Sequence, residues 1–503
     1  MKKNLLISIW MVLGLSVPKI VQAQFMVNGY IPNYRSVADI NGIDYVNLDI
    51  SYYAFVNTNA DGSLVPVNSW DVGKMEACVA NAHAAGKKVY ICFGGLWGSS
   101  VIYTMANNAT SRANFVSNIV AYMVANNFDG LDIDWEGLST SGERTAHENL
   151  MADLRTAIDA EGGLGLTLTI GYGSYNAQWF SNAAVGYADY LQIMAYDDYG
   201  TWSSSPFGNH SSYIGATSAI AYWVGRSIAK SKMILGLPCY GYQFASTSGG
   251  SGTARSYASI VTAESDLKSS DDATANGLTL FNNQDIIMQK TQYAMDQGLA
   301  GVFFWEMTQD TDDKRSLHKA AMYTVNAVTP PPLANFLVSK KIPTVAEVIT
   351  FTDHSSLGTT TDYDWNFGAD ATPATATGIG PHTVSYSTLG YKTIELMTTG
   401  PGGTDTKTKT SYINVSVASS TVDVSTVGIS VYPNPNNGVF YIESQAIKLT
   451  GIEVYNALST KVLGLEATGN TMVVDLSNQP IGMYILMLKT EGGTYSKKML
   501  KNN

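Results

Sequence analysis

The chain of 503 residues is 45% hydrophobic, 11% aromatic and only 14% charged, with 30 Tyr and 9 Trp. Such a composition excludes a disordered chain, and the length calls for several domains of about 100 to 200 residues each. A formal net charge of -11 argues against nucleic acid as a partner, because a polyanion needs a basic patch, and leaves neutral ligands as the better fit.

Lys2 and Lys3, the apolar run "LLISIWMVLGLSV" and "VQA" before Gln24 read as a secretory signal over residues 1–23. The alternative is a membrane anchor, but the run is shorter than the ~20 apolar residues that a span needs, so no span is expected in the mature chain. Over 24–328, short β-rich runs alternate with helical patterns, the mark of parallel βα units. The expected strands are "FMVNGY" (25–30), "VNLDISYYAF" (46–55), "KVYICF" (88–93), "GLDIDWE" (130–136), "LTLTIGY" (166–172), "YLQIMAY" (190–196), "MILGLP" (233–238) and "GVFFWE" (301–306). About eight strands is the count of a TIM (β/α)8 barrel; an open doubly wound sheet is the alternative.

"VTPPPLA" (Val328 to Ala334) reads as a stiff, extended proline linker, placed at 329–334. From 335 to 417 the chain turns Thr- and Ser-rich with alternating strands, an immunoglobulin-like β-sandwich pattern in which Trp365 is expected in the core. A polar linker over 418–427 precedes a small C-terminal β domain, 428–503. Cys78, Cys92 and Cys239 lie in apolar patterns and are expected to be buried thiols, with neither a disulfide framework nor metal spacing.

The segment "FDGLDIDWEG" holds Asp129, Asp132, Asp134 and Glu136. Side chains on a strand alternate, so Asp132, Asp134 and Glu136 share one face and Leu131, Ile133 and Trp135 the other. In a barrel the acidic set points inward and climbs to the C-terminal rim, where barrel enzymes keep their chemistry. Like charges held together raise one another's pKa, which suits Glu136, nearest the rim, to proton donation. A calcium or magnesium site and a buried ion network are the alternatives. By the same parity Gln192, Met194 and Tyr196 share a face, with Asp197 at the strand's end. Trp305 points inward and Glu306 away, which argues against Glu306 as the second carboxylate of a two-carboxylate glycosidase.

The segment "DGLDIDWEG" resembles the DxxDxDxE signature of family 18 glycoside hydrolases, the chitinase family. "VNGYIPNY", "ISYYAFVN", "QIMAYDDYG", "GLPCYG" and "GVFFWEMTQD" resemble further strands of that family in order. The resemblance covers about 24–328 and implies a secreted, endo-acting chitinase with substrate-assisted retaining catalysis. It implies Glu136 as general acid and later base, Asp134 turning to the acetamido N–H, and Asp132 sharing a proton with Asp134. Tyr196 would bond the acetamido carbonyl, Asp197 would position that group and Trp305 would form the subsite floor. Met194, Gln192, Tyr30 and Phe55 would contact substrate from the strands, and Trp97, Trp202 and Tyr240 from the loops.

Asp129, off the inward face, is left to hold the strand or a neighbouring residue. Two features depart from the family's SxGG motif: Cys92 replaces its serine before Gly94 and Gly95, and the Trp that follows the glycines is displaced by one residue to Trp97. The stretch from Gly241 to Gly301 must include a helix and reads as too short for the additional α+β module of some relatives, so a shallower cleft with endo-type, poorly processive cutting is expected. Other readings are an endo-β-N-acetylglucosaminidase acting on N-glycans and a non-catalytic chitin-binding lectin.

The region around "DYDWNFGAD" resembles a PKD-like module, and "VYPNPNNGVFYI" with "GMYILMLKTEGGTYSKKMLK" resembles a type IX secretion C-terminal sorting domain. Chitin or chitooligosaccharides and the secretion machinery are the expected partners of a monomer at or outside the cell surface, with no cofactor and no metal.

Overall fold

The computed structural model describes residues 24–502 apart from 66–68, 96–98, 174–176, 265, 269–271, 275, 417–423, 446, 468 and 491–492. The expected signal segment, Trp97 and much of the polar stretch at 418–427 lie outside the described residues. The chain divides into two compact units. The first holds the described residues up to Asp198 with Ser211–Cys239 and Lys290–Thr308; the second holds Tyr199–His210, Tyr240–Gln289 and the chain from Gln309 onward.

Eight strands in the first unit close into a parallel barrel: β1 (Met26–Pro32), β2 (Ile50–Val56), β3 (Lys88–Gly94), β4 (Gly130–Asp134), β5 (Gly165–Ile170), β6 (Tyr190–Ile193), β7 (Met233–Pro238) and β8 (Gly301–Trp305). Each pairs with its neighbour in chain order, and Met26 opposite Gly301 closes the ring between β1 and β8. Closure removes both sheet edges and with them the open-sheet alternative. Helices such as Ser69–Ala84, Ala109–Ala125, Ser141–Glu161 and Tyr213–Gly225 connect the strands.

Alternation sorts the side chains. Tyr30, Ile50, Tyr52, Tyr90, Cys92, Ile234 and Phe303 form one buried cluster inside the barrel, while Leu131, Ile133 and Trp135 of the acidic segment are fully buried on the opposite face. The Trp135 ring lies 5.8 Å from that of His147 on helix Ser141–Glu161. Three strands stop two or three residues short of their expected ends: β4 at Asp134, β5 at Ile170 and β6 at Ile193. The Gly95 amide makes a last cross-strand bond to the Asp134 carbonyl at 2.7 Å and Met194 N one to the Ile170 carbonyl at 2.9 Å, after which Ala195 N turns back onto the Ile193 carbonyl at 2.9 Å.

In the second unit, Tyr240–Phe244, Gly252–Ser256 and Thr279–Phe281 form a three-stranded antiparallel sheet with the short helix Tyr257–Ala263. This corrects the expectation that the segment is too short to hold such an α+β insertion besides its helix. Gly249 and Gly250, at φ 75° and 76°, allow a tight turn that fits a hairpin into few residues.

Two four-stranded antiparallel sheets follow within Phe336–Val415, with Phe336, Phe351, Trp365, Phe367 and Tyr386 in their shared core. Trp365 donates Nε1–H to the Gly378 carbonyl at 3.0 Å. The prolines before this module are not a loose tether: Leu333 exchanges backbone hydrogen bonds with Ser356 at 2.6 and 3.0 Å, and Ala334 N donates to Asp405 at 2.7 Å. The last region, from Ile429 to Lys501, pairs a three-stranded with a four-stranded antiparallel sheet over its own apolar core.

Candidate active site

The acidic face of β4 meets β1, β3 and β5 inside the barrel. Asp132 is fully buried and ringed by donors. Thr167 Oγ1 donates to Oδ1 at 2.7 Å, and Tyr30 OH, Thr169 Oγ1 and Cys92 Sγ donate to Oδ2 at 2.9, 2.8 and 3.2 Å. Burial raises the Asp132 pKa and these donors oppose the rise, since hydrogen bonds to a carboxylate favour its charged form. The thiol of Cys92 is the weakest of them, being a poorer donor than a hydroxyl.

Asp134 sits one step higher, 3% exposed, and its buried Oδ1 has no hydrogen-bond partner. Burial first, then the charges of Glu136 and Asp132, push its carboxyl well above the usual range. Gly94 and Gly95 make this position possible. A Cβ on Gly94 would lie 2.1 Å from the Asp134 carbonyl oxygen, and both glycines adopt positive φ, at 122° and 83°, where a side chain would be strained.

Glu136 lies past the strand's end, half-buried. Burial and then the nearby Asp197 carboxylate push it up to about 7. Asp197 is exposed, in a left-handed turn at φ 65° that follows β6. Tyr196 and Met194 are partly exposed at the mouth. Burial and the charges of Asp134 and Asp197 raise the Tyr196 phenol well above its ordinary value, so it remains a donor. Trp305 is also partly exposed, with its ring 5.4 Å from Tyr30 and 5.9 Å from Phe55. The Phe55 ring in turn lies over Gly95.

Two expected substrate contacts are buried and engaged by neighbouring side chains. Tyr30 is 1% exposed and spends its hydroxyl on Asp132 and Thr169, and Gln192 is fully buried with Nε2 bonded to Tyr52 OH at 2.5 Å. Both face inward as parity requires. Asp129 caps the other end of the strand: its Oδ2 accepts from Val89 N at 2.8 Å and contacts His83 Nε2 at 2.9 Å. In the second unit, Tyr240 is buried with its ring 4.8 Å from that of His210, while Trp202 is 43% exposed with its ring 6.0 Å from Tyr242.

Sequence reading missed Thr167 and Thr169, although the alternation in "LTLTI" carries the signal, and it missed Arg35. The Arg35 guanidinium pairs with the fully buried Glu306, whose Oε2 also accepts from Thr308 N and Oγ1 at 2.9 and 2.7 Å. Among the described residues no group of three or more His, Cys, Asp or Glu side chains could hold a metal ion. Cys78, Cys92 and Cys239 are all buried, as expected.

A closed parallel barrel with graded carboxylates rising to its carboxyl-end rim defines a barrel enzyme equipped for acid–base chemistry. Residues 26–310 match the family model described as glycosyl hydrolases family 18, and the chain belongs to that family. Residues 430–502 match the secretion system C-terminal sorting domain. Endochitinase 1 of Metarhizium robertsii is 26% identical over 323 residues, 53% of this chain and 76% of that protein. The class V chitinase of Arabidopsis thaliana is 26% identical over 336 residues, 58% and 87% of the two chains. Among solved structures, the family 18 chitinase ChiB from the chitin utilization locus of Flavobacterium johnsoniae superposes with a TM-score of 0.53 at 24% identity, covering 61% of this chain and 95% of that one. That likeness concerns the fold.

Proposed function

We propose that the protein is a secreted chitinase that hydrolyses β-1,4 bonds between N-acetylglucosamine units by substrate-assisted retaining catalysis. The observation that carries this reading is the gradient along β4: a donor-saturated Asp132, an Asp134 with an unpartnered buried oxygen, and a Glu136 pushed up to about 7. Glu136 donates its proton to the glycosidic oxygen as the C1–O bond breaks, while the acetamido oxygen of the same sugar attacks C1 and forms an oxazolinium ion. Asp134 Oδ1 accepts the acetamido N–H, Tyr196 donates to the acetamido oxygen, and Trp305 supports the ring. Glu136 then takes a proton from the water that attacks C1, the bond between C1 and the acetamido oxygen breaks to restore the acetamido group, and configuration is retained. Glu306 is occupied by Arg35 and Thr308, which supports the substrate, rather than a second carboxylate, as nucleophile.

Endo action is supported by the likeness to the Metarhizium endochitinase. Cleft depth no longer supports it, because the segment read as too short for an α+β module contains a sheet and a helix. The sorting domain supports delivery to or beyond the cell surface, after an N-terminal signal, and the sandwich is read as a PKD-like spacer. Incubating the enzyme with chitooligosaccharides beside a high-mannose glycopeptide tests the reading. Internal cleavage of the oligosaccharides is expected, with a loss of about 10²- to 10⁴-fold in Glu136→Gln. Glycopeptide cleavage alone would assign the protein to N-glycans, binding without turnover would make it a lectin, and undiminished Glu136→Gln activity would remove the proton donor.

A further inference from the structure

The turn that carries Tyr196 and Asp197 is held from behind by a buried lysine. Lys290, on helix Gln284–Asp296, is 0% exposed. Its Nζ donates to the Ser211 carbonyl at 2.7 Å and to Ser211 Oγ at 2.8 Å. Ser211 Oγ donates onward to the Ala195 carbonyl at 2.7 Å, the peptide group immediately before Tyr196. On the other side, Asp198 follows Asp197 directly and accepts a hydrogen bond from Tyr172 OH. Burial pushes the Lys290 ammonium down to about 7, and the Asp198 carboxylate opposes that shift.

A buried cation is costly unless its hydrogen bonds are well satisfied, and two of this one's bonds go to the loop residue Ser211. Asp197 needs such support. Its left-handed φ of 65° is an uncommon conformation for a residue with a side chain, and it persists only where surrounding structure imposes it.

We infer that Lys290 is a positioning residue which, through Ser211 and the Ala195 carbonyl, fixes the Tyr196 hydroxyl and the Asp197 carboxylate against the reacting sugar; the inference rests on the chitinase reading of the site. Both groups act on the acetamido end of the sugar, where bonding tightens on the way to the oxazolinium ion. Loosening the turn therefore costs transition-state stabilisation more than substrate binding.

The test uses the full chain with Lys290→Met, which keeps an unbranched side chain without the ammonium, together with Ser211→Ala and the double variant. Three quantities are measured: kcat per titrated binding site on chitooligosaccharide, oligosaccharide affinity in a Glu136→Gln background, and affinity for a thiazoline analogue of the intermediate. For Lys290→Met, kcat is expected to fall about 10- to 100-fold, analogue affinity to fall with it, and oligosaccharide affinity to change little. Ser211→Ala should show the same pattern more weakly, because Lys290 still holds the Ser211 carbonyl, and the double variant should lose no more than Lys290→Met.

Wild-type kcat in Lys290→Met, parallel losses in both affinities, or strictly additive losses would overturn the inference. Should Lys290→Met fail to fold, Ser211→Ala alone decides through the two affinities. A wild-type enzyme inactive on chitooligosaccharides would instead sink the chitinase reading.

Discussion

Glu136 is kept as an acid by two causes of different origin, its half-burial and the Asp197 carboxylate. Only the second can be removed without reshaping the site. Asp197→Asn deletes a negative charge, so the Glu136 pKa falls toward the ordinary carboxylate value and the protonated acid is lost at lower pH. The alkaline limb of the kcat/KM profile, set near pH 7 in the wild type, should move acidward by up to about one unit. A pH–rate series on a soluble oligosaccharide checks it, and an unmoved limb would mean that burial alone holds the proton. Below, Asp132 shows what residue-by-residue parity could and could not deliver. Asp132 facing inward was legible from the sequence, whereas Tyr30 and Thr169 converging on one of its oxygens required β5 to pair with β4 and the closed barrel to bring β1 across its interior.

Elements behave the same way. The eight strands could be read from apolar runs between helical patterns, but the ends of β4, β5 and β6 could not. Residues beyond Asp134 and Ile193 keep the composition of strand, but the chain turns out of the sheet there, as the bond from Ala195 N back to the Ile193 carbonyl shows. The inserted sheet of Tyr240–Phe281 was missed because its strands, such as the polar and largely exposed Gly252–Ser256, lack the apolar runs that mark the barrel strands.

The C-terminal region could be read as a separate β domain. Its sheets and core draw only on residues from Val424 onward, so cutting the chain at Ser425 removes it without opening the barrel. That truncation should keep the specific activity of the full chain and accumulate in the periplasm, as assayed by cell fractionation. Normal export of the truncated protein would separate the sorting domain from secretion.

For the molecule as a whole, stability in acid should depend on groups that never touch substrate. His147 is fully buried against Trp135 and Phe180, both ring nitrogens lack partners, and burial pushes its pKa down to about 3. In the unfolded chain a histidine titrates near ~6.5. Between those values the unfolded state binds a proton that the folded state refuses, so stability falls as pH drops from about 6.5 toward 3. His147→Phe removes the refused proton and two orphaned nitrogens. It should raise the thermal midpoint of the barrel at pH 4 more than at pH 7, where the gain is roughly 1 kcal/mol. Tryptophan fluorescence melts at the two pH values measure this, and an equal shift at both would assign acid sensitivity elsewhere.

The fold class, the inward face of β4 and the rank of Glu136 above Asp134 and Asp132 were determined by sequence alone, because a period of two and the order of residues along a strand are local properties. Which groups surround that face was decided by tertiary structure. Closure of the barrel made Tyr30 a donor to Asp132, buried Gln192 against Tyr52, and brought Lys290, 95 positions after Ala195, to the turn that carries Tyr196. Such convergence depends on strand register and loop path, which link residues distant in the chain and leave no periodic trace in it.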